Sequence, residues 1–218
     1  MSYHGHVTVG GPADVRELAP LMITKIAVGP YANNAYLLRC RATDEQLLID
    51  AAAEPERLLK TVNGSLAAVV TTHQHADHWQ GLRTVVAATG ARTAAGDLDA
   101  DAIDVRTDLR LRDGETINVG NIPLRIIQLS GHTPGSIALL YDDPKGHPHL
   151  FTGDCLFTAG AHCATSPDED PARLHAEVVA KLFGALPDET WVYPGHGHDT
   201  TLGAERPRFG TPMASQPR

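Results

Sequence analysis

Basic charge is in short supply in this 218-residue chain, with 18 Lys and Arg set against 26 Asp and Glu for a formal net charge of −8. A protein that grips a phosphate backbone needs a concentrated cationic face, so nucleic acid is not an expected partner. Cysteine is scarce as well. Cys40, Cys155 and Cys163 are too few and too scattered for a disulfide framework, which points to a reducing, cytoplasmic compartment. Nowhere does the sequence sustain the ~18 continuous apolar residues of a membrane span. Met1 to Gly11 shows neither a basic start nor an apolar run, so no signal peptide is expected. What remains is a chain 42% hydrophobic, enough for a packed core. It is also rich in one unusual residue: 12 His against 4 Phe and 2 Trp, a surplus that points to metal or proton chemistry.

Residues 1–20 read as a loose lead-in broken by Gly10-Gly11-Pro12 and Pro20. Short β-like runs follow at Ile23 to Val28, Ala35 to Leu38 and Leu47 to Ile49, with a helix expected over Pro55 to Val62. Leu66 to Val70 is a continuous apolar run, the pattern of a strand buried on both faces. A second helix is expected from Asp77 to Ala88 and a third over Ala172 to Phe183. Further strands are expected at Ile122 to Leu129, Ile137 to Tyr141, Leu150-Phe151 and Trp191 to Tyr193. Strand clusters interleaved with helices mean an α/β or α+β protein. The tail after Leu202 is polar and proline-containing and reads as mobile. The expected division is therefore a lead-in (1–20), one domain (21–203) and a tail (204–218).

The densest chemistry lies in Thr72-His73-Gln74-His75-Ala76-Asp77-His78, directly after the buried strand. In an extended stretch His73 and His75 are two apart and project to the same side, so one cation could take both imidazoles. Asp77 and His78, being adjacent, point in different directions and can address a second position; Asp77 could instead cap the helix. Three more segments place a polar group where a strand ends. These are Gly131-His132-Thr133-Pro134-Gly135-Ser136, Thr152-Gly153-Asp154-Cys155 and Pro194-Gly195-His196-Gly197. Each alone is an ordinary turn. Together they complete seven candidate ligands: His73, His75, Asp77, His78, His132, Asp154 and His196. His198, two residues beyond His196, could be mistaken for a ligand; His4, His6, His147, His149 and His175 read as surface or helix-face residues.

With these motifs in this order the sequence resembles the metallo-β-lactamase superfamily, and within it the glyoxalase II-like hydrolases. The likeness runs from Ile23 to about Gly203. It includes Val28-Gly29-Pro30-Tyr31-Ala32-Asn33-Asn34-Ala35-Tyr36 and the Leu48-Ile49-Asp50 strand end. The resemblance implies an αβ/βα sandwich, two facing mixed sheets with helices outside and metals at one edge. It implies two divalent cations, zinc first, with iron or manganese as alternatives. His73, His75 and His132 would hold one, Asp77, His78 and His196 the other, and Asp154 would bridge them. Asp50 matches the family's carboxylate just behind the ligands; otherwise it is a strand-end turn residue.

The implied reaction is hydrolysis of a small acyl substrate, with Asp77 also able to receive a proton. No separate general acid is evident in the motifs, and a thiolate leaves without one, which favours thioesters or lactones over amides. Typical glyoxalase II enzymes continue into a C-terminal helical domain that holds glutathione. With the sequence stopping at Arg218, that domain is expected to be missing here. The loop after Asp154 also lacks the basic, aromatic character of the glutathione-specific enzymes, and its His162 and Cys163 could touch substrate, bind an extra metal, or lie in a plain surface loop. Rival readings are a persulfide dioxygenase with one iron held by His73, His132 and Asp154, an acyl-homoserine lactonase, and a non-catalytic metal-binding module. No membrane partner is expected.

Overall fold

The computed structural model describes residues 3–158 and 169–209. The first sheet runs in chain order. It comprises β1 (Asp14–Glu17), β2 (Leu21–Val28), β3 (Asn33–Cys40), β4 (Gln46–Ile49), β5 (Leu66–Thr71), β6 (Arg92–Gly96) and β7 (Leu109–Leu111). β1 to β4 pair antiparallel and β4 to β7 parallel. The second sheet contains β8 (Thr116–Val119), β9 (Ile122–Gln128), β10 (Ile137–Tyr141), β11 (His149–Gly153), β12 (Trp191–Pro194) and β13 (Thr200–Thr201), ordered β13-β12-β11-β10-β9-β8. It too is mixed, with β11 and β12 parallel.

Alternation along the strands decides which side chains face which layer. Leu47 and Ile49 of β4, and Ala68 and Val70 of β5, join Ile126, Leu139, Phe151 and Tyr193 of the second sheet in one buried cluster between the sheets. Their neighbours Leu48 and Val69 point the other way. There they meet Leu58 of α1 (Pro55–Thr61) and Leu82 and Val85 of α2 (Leu82–Thr89). On the opposite outer face Ile127, Ala138, Leu140 and Leu150 pack on Leu174 and Val178 of α3 (Pro171–Val178). Each fully buried Leu or Ile contributes about 1.5–3 kcal/mol, which is why both faces of the central strands are apolar. The result is the expected αβ/βα sandwich.

Several local expectations change. The helix expected from Asp77 splits into a single 3₁₀ turn, Ala76–His78, and α2, with Gly81 between them donating to the Ala51 carbonyl at 2.8 Å. A continuous α-helix would stack His78 one turn below Leu82; the break lets it turn inward instead. Within the lead-in, β1 pairs with β2. At the other end, α4 (Leu202–Phe209) occupies what reads as a mobile tail in spite of Pro207. Buried Leu202 and Phe209 anchor it, and Arg206 bonds Asp188 at 2.7 Å and the Phe183 carbonyl at 2.9 Å. Packing thus overrides the proline signal. The third helix ends its α-helical course at Val178 and continues as one π-type turn over Val179–Phe183.

His149, read as a surface residue, is buried in β11 with its Nδ1 2.9 Å from the Tyr193 hydroxyl. Burial, reinforced by the Arg16 charge, drops its pKa to about 3, so it stays neutral. Among the described residues no helix is long and apolar enough to cross a membrane.

Candidate metal centre

All seven candidate ligands converge at one edge of the sandwich, because each sits where a strand ends. β5 leads into His73, His75, Asp77 and His78. The β9–β10 connection carries His132, β11 ends next to Asp154, and β12 leads to His196. Three overlapping sets could each hold a metal ion: His73, His75 and His132; His73, His78 and Asp154; and Asp77, His78 and His196. His162 and Cys163 lie outside the described residues.

The spacing of donor atoms fits divalent cations. Nitrogen or oxygen ligands at the corners of a tetrahedron with 2.0–2.1 Å bonds stand about 3.3 Å apart. Here His73 Nε2 is 3.1 Å from His75 Nδ1 and His78 Nε2 is 3.3 Å from His196 Nε2. Asp154 has Oδ1 3.3 Å from His78 Nε2, while its Oδ2 is 3.4 Å from His196 Nε2 and 3.9 Å from His132 Nε2. Asp77 Oδ2 lies 3.6 Å from His78 Nε2 and 3.5 Å from His196 Nε2. Facing imidazole nitrogens at such distances repel unless a proton or a cation lies between them, and carboxylates supply the balancing charge.

The outward side of each ring fixes which nitrogen points inward. Asp50 accepts from the Thr72 amide at 2.8 Å and the Thr72 hydroxyl at 2.9 Å, and its Oδ2 takes the His78 Nδ1–H at 2.8 Å. Because the Thr72 hydroxyl hydrogen is committed to Asp50, His73 Nδ1, 3.1 Å away, must be the donor of that pair. That leaves His73 Nε2 a free lone pair. His196 Nδ1 donates to the Tyr31 carbonyl at 3.0 Å, and His132 Nδ1 stands 3.4 Å from buried Glu169 Oε1. Metal-binding histidines are held this way as a rule, the far N–H given to a carboxylate or carbonyl. Asp50 adopts φ 57°, a left-handed conformation rare for a non-glycine residue. Asp50 thus makes the strand-end turn while its Oδ2 accepts from His78 Nδ1.

Charge coupling inside the cluster is strong. Burial works against the charged forms of His196 and His78. For His196 the Asp154 and Asp77 carboxylates outweigh it and raise the pKa to about 9. For His78, Asp154 and Asp50 do the same, so it too is pushed up. His73, buried among other imidazoles, is pushed down and stays neutral. Asp154 is held below the usual carboxylate range by His78 and His196 although burial opposes this. The protons thus retained are the ones that cations would displace on binding.

Several further residues contribute: Asn33 and Asn34 lie in the Val28 to Tyr36 segment that carries the resemblance, whereas Lys25, Glu169 and Asp99 have no signal of their own in the sequence. Asn33 donates to Asp77 Oδ2 at 2.8 Å, and Asn34 bonds the Pro194 and Gly197 carbonyls, each at 2.9 Å. The Asn34 contacts clamp the His196 loop to the β2–β3 hairpin, and the Asn33 contact ties the same hairpin to the loop after β5. Buried Lys25 adds a strut from β2, with Nζ 2.8 Å from the Gly5 and Gly197 carbonyls and 2.6 Å from Asp199 Oδ1. Glu169 and Asp99 are identifiable only once the loops are assembled. Gly195 is required by close approach, since a Cβ there would collide with Asp154 Oδ1 and lie 2.8 Å from His78 Cε1.

Comparison with known proteins agrees with this architecture. The metallo-beta-lactamase superfamily model matches residues 28–196. A hydroxyacylglutathione hydrolase of a Polaromonas species is 36% identical over 183 residues, 82% of this chain and 67% of that protein. One from Nitrosococcus oceani is 35% identical over 179 residues, 79% of this chain and 65% of that protein. The chain therefore spans about two thirds of the length of these relatives. Among solved structures, ETHE1 from Myxococcus xanthus superposes with a TM-score of 0.76 at 27% identity, covering 86% of this chain and 82% of that one. TTHA1623, solved in a di-iron-bound form, gives 0.71 at 31% identity, covering 84% and 96%. On the match of its sequence, its two facing mixed sheets and the placement of its histidine and aspartate cluster, the chain belongs to the metallo-β-lactamase superfamily.

Proposed function

We propose that the protein is a hydrolase of small acyl thioesters that works with two divalent cations. One observation carries this reading: the seven His and Asp side chains form overlapping donor sets, with the Asp154 carboxylate facing nitrogens of both. On this reading His73, His75 and His132 hold one cation and Asp77, His78 and His196 the other, with Asp154 shared. The similarity to hydroxyacylglutathione hydrolases and to a protein solved with two irons supports both parts of the proposal. When bound, paired cations lower the pKa of water and polarise an acyl carbonyl.

The protein's own groups would do the rest. Asp77 is more exposed than Asp154 or Asp50, its side chain 27% accessible against 10% for Asp154 and 2% for Asp50. It is therefore the group placed to take a proton from attacking water and pass it to solvent, while the Asn33 amide keeps Oδ2 oriented. A thiolate with a pKa near ~8.5 departs without an acid to protonate it. An amine would have to be protonated before it could leave, which favours thioesters over amides.

The test is a substrate panel run on zinc-loaded protein with thiol release as the readout. Hydroxyacylglutathione and simple acyl thioesters should be cleaved, and a β-lactam should be turned over far more slowly. Absence of thiol release from every thioester would refute the proposal. Oxygen consumption with a persulfide by iron-loaded protein would assign the site to dioxygenase chemistry instead.

A further inference from the structure

We infer that Asp99 is a positioning residue for the His73, His75 and His132 donor set; this rests on the metal reading above. The first two of these histidines follow β5 of the first sheet, and the third lies in the β9–β10 connection of the second. Their rings nonetheless meet, with His132 centred 4.6 Å from both His73 and His75. A donor set split between two sheets needs something to fix the distance between its loops.

Asp99 follows β6, is fully buried, and is bonded to both loops at once. Its Oδ2 accepts the Gln74 amide at 2.9 Å, the residue between His73 and His75, and the Thr133 hydroxyl at 2.5 Å, the residue after His132. Its Oδ1 accepts the Gly135 amide at 2.6 Å. The fit is close: a Cβ on Gly135 would collide with the Asp99 backbone nitrogen and lie 2.8 Å from its Oδ1. The Ile137 amide to Thr72 carbonyl bond, at 2.9 Å, joins the same two segments on the strand side of the ligands. Asp99 joins them on the loop side, so the ligands lie between two ties. A carboxylate kept in a dry interior is costly unless its bonds offset the loss of water. Here all three of those bonds go to the two ligand-bearing loops.

The experiment is zinc titration of metal-free Asp99→Asn against a chromophoric chelator, with the folded state checked by circular dichroism. Asparagine keeps the shape but turns a donor toward either the Gln74 or the Gly135 N–H. Residues behind metal ligands typically alter affinity by about 10–100-fold. One of the two zinc sites should weaken by about that factor, and the other should hold within about twofold of wild type. In cobalt-loaded protein the site lost should be the one that shifts the His75 and His132 ring resonances. Should Asp99→Asn fail to fold, Thr133→Val removes one of the three bonds and should weaken the same site by a smaller factor. Two tight sites in wild type, with both affinities unchanged or falling together in the variants, would overturn the role of Asp99 alone. Wild-type protein that takes up no zinc would overturn the metal reading along with it.

Discussion

Asp154→Ala should leave the protein folded and abolish hydrolysis. The substitution removes no member of the three apolar clusters that hold the sheets and helices together and lifts the cost of burying a carboxylate, so the fold should not depend on it. The centre does. Asp154 Oδ1 is 3.3 Å from His78 Nε2, and Oδ2 faces His196 and His132. Without it the inward-facing imidazoles lose the negative charge that balances them, and two cations would lose the one ligand they share. If cation assistance is worth several kcal/mol, and each 1.36 kcal/mol is tenfold in rate, the loss is about a thousandfold or more. Steady-state thiol release by the purified variant, with circular dichroism and metal content measured on the same sample, is the check. Activity within tenfold of wild type would show that the bridging assignment is wrong.

Gly195→Ala should be nearly as damaging, although it adds a single methyl group and removes no ligand. The alanine Cβ would occupy the space of Asp154 Oδ1, with His78 Cε1 only 2.8 Å and the Gly153 carbonyl carbon 3.2 Å away. The backbone cannot readily retreat. Gly195 donates to Gly153 O at 2.8 Å, and its own carbonyl accepts from Asn34 at 2.7 Å. Something must therefore move, and the nearest groups are the side chains of two candidate ligands, Asp154 and His78. Overpacking of this kind costs about 1–3 kcal/mol of stability. The effect on chemistry should be larger, about 100-fold or more, because displacements near 1 Å in a positioned site cost that much. Urea denaturation and turnover measured in parallel separate the two effects. A variant with normal activity would mean that the approach of Gly195 to Asp154 is looser than the structure shows.

Much of this centre is legible in the sequence, for a physical reason. A ligand that leaves a strand end is tied to an element the apolar pattern already locates, so Leu66 to Val70 places His73 to His78, and Trp191 to Tyr193 places His196. The two facing layers are legible for the same reason, since Leu47 and Ile49 alternate with Leu48. What cannot be read are contacts made only after the layers meet. Asp99 lies in an acidic turn with no pattern of its own, and Asn33, Lys25 and Glu169 gain their roles from partners more than 35 positions away. Local rules also mislead where packing wins. Pro207 suggests a break inside what is a helix anchored by Phe209, and a histidine in β11 reads as exposed when its strand is buried. The 3₁₀ turn at Ala76–His78 is hidden because its sequence favours helix. Its geometry directs His78 Nδ1 to Asp50 Oδ2, 2.8 Å away.

Pairing of cations across Asp154 is the claim on which the rest depends, and anomalous diffraction from metal-loaded crystals tests it most directly. Two peaks should appear about 3.5–4 Å apart, the spacing of two-metal sites, one among His73, His75 and His132 and the other among Asp77, His78 and His196, with Asp154 between them. A single peak, or none in fully loaded protein, would contradict that pairing.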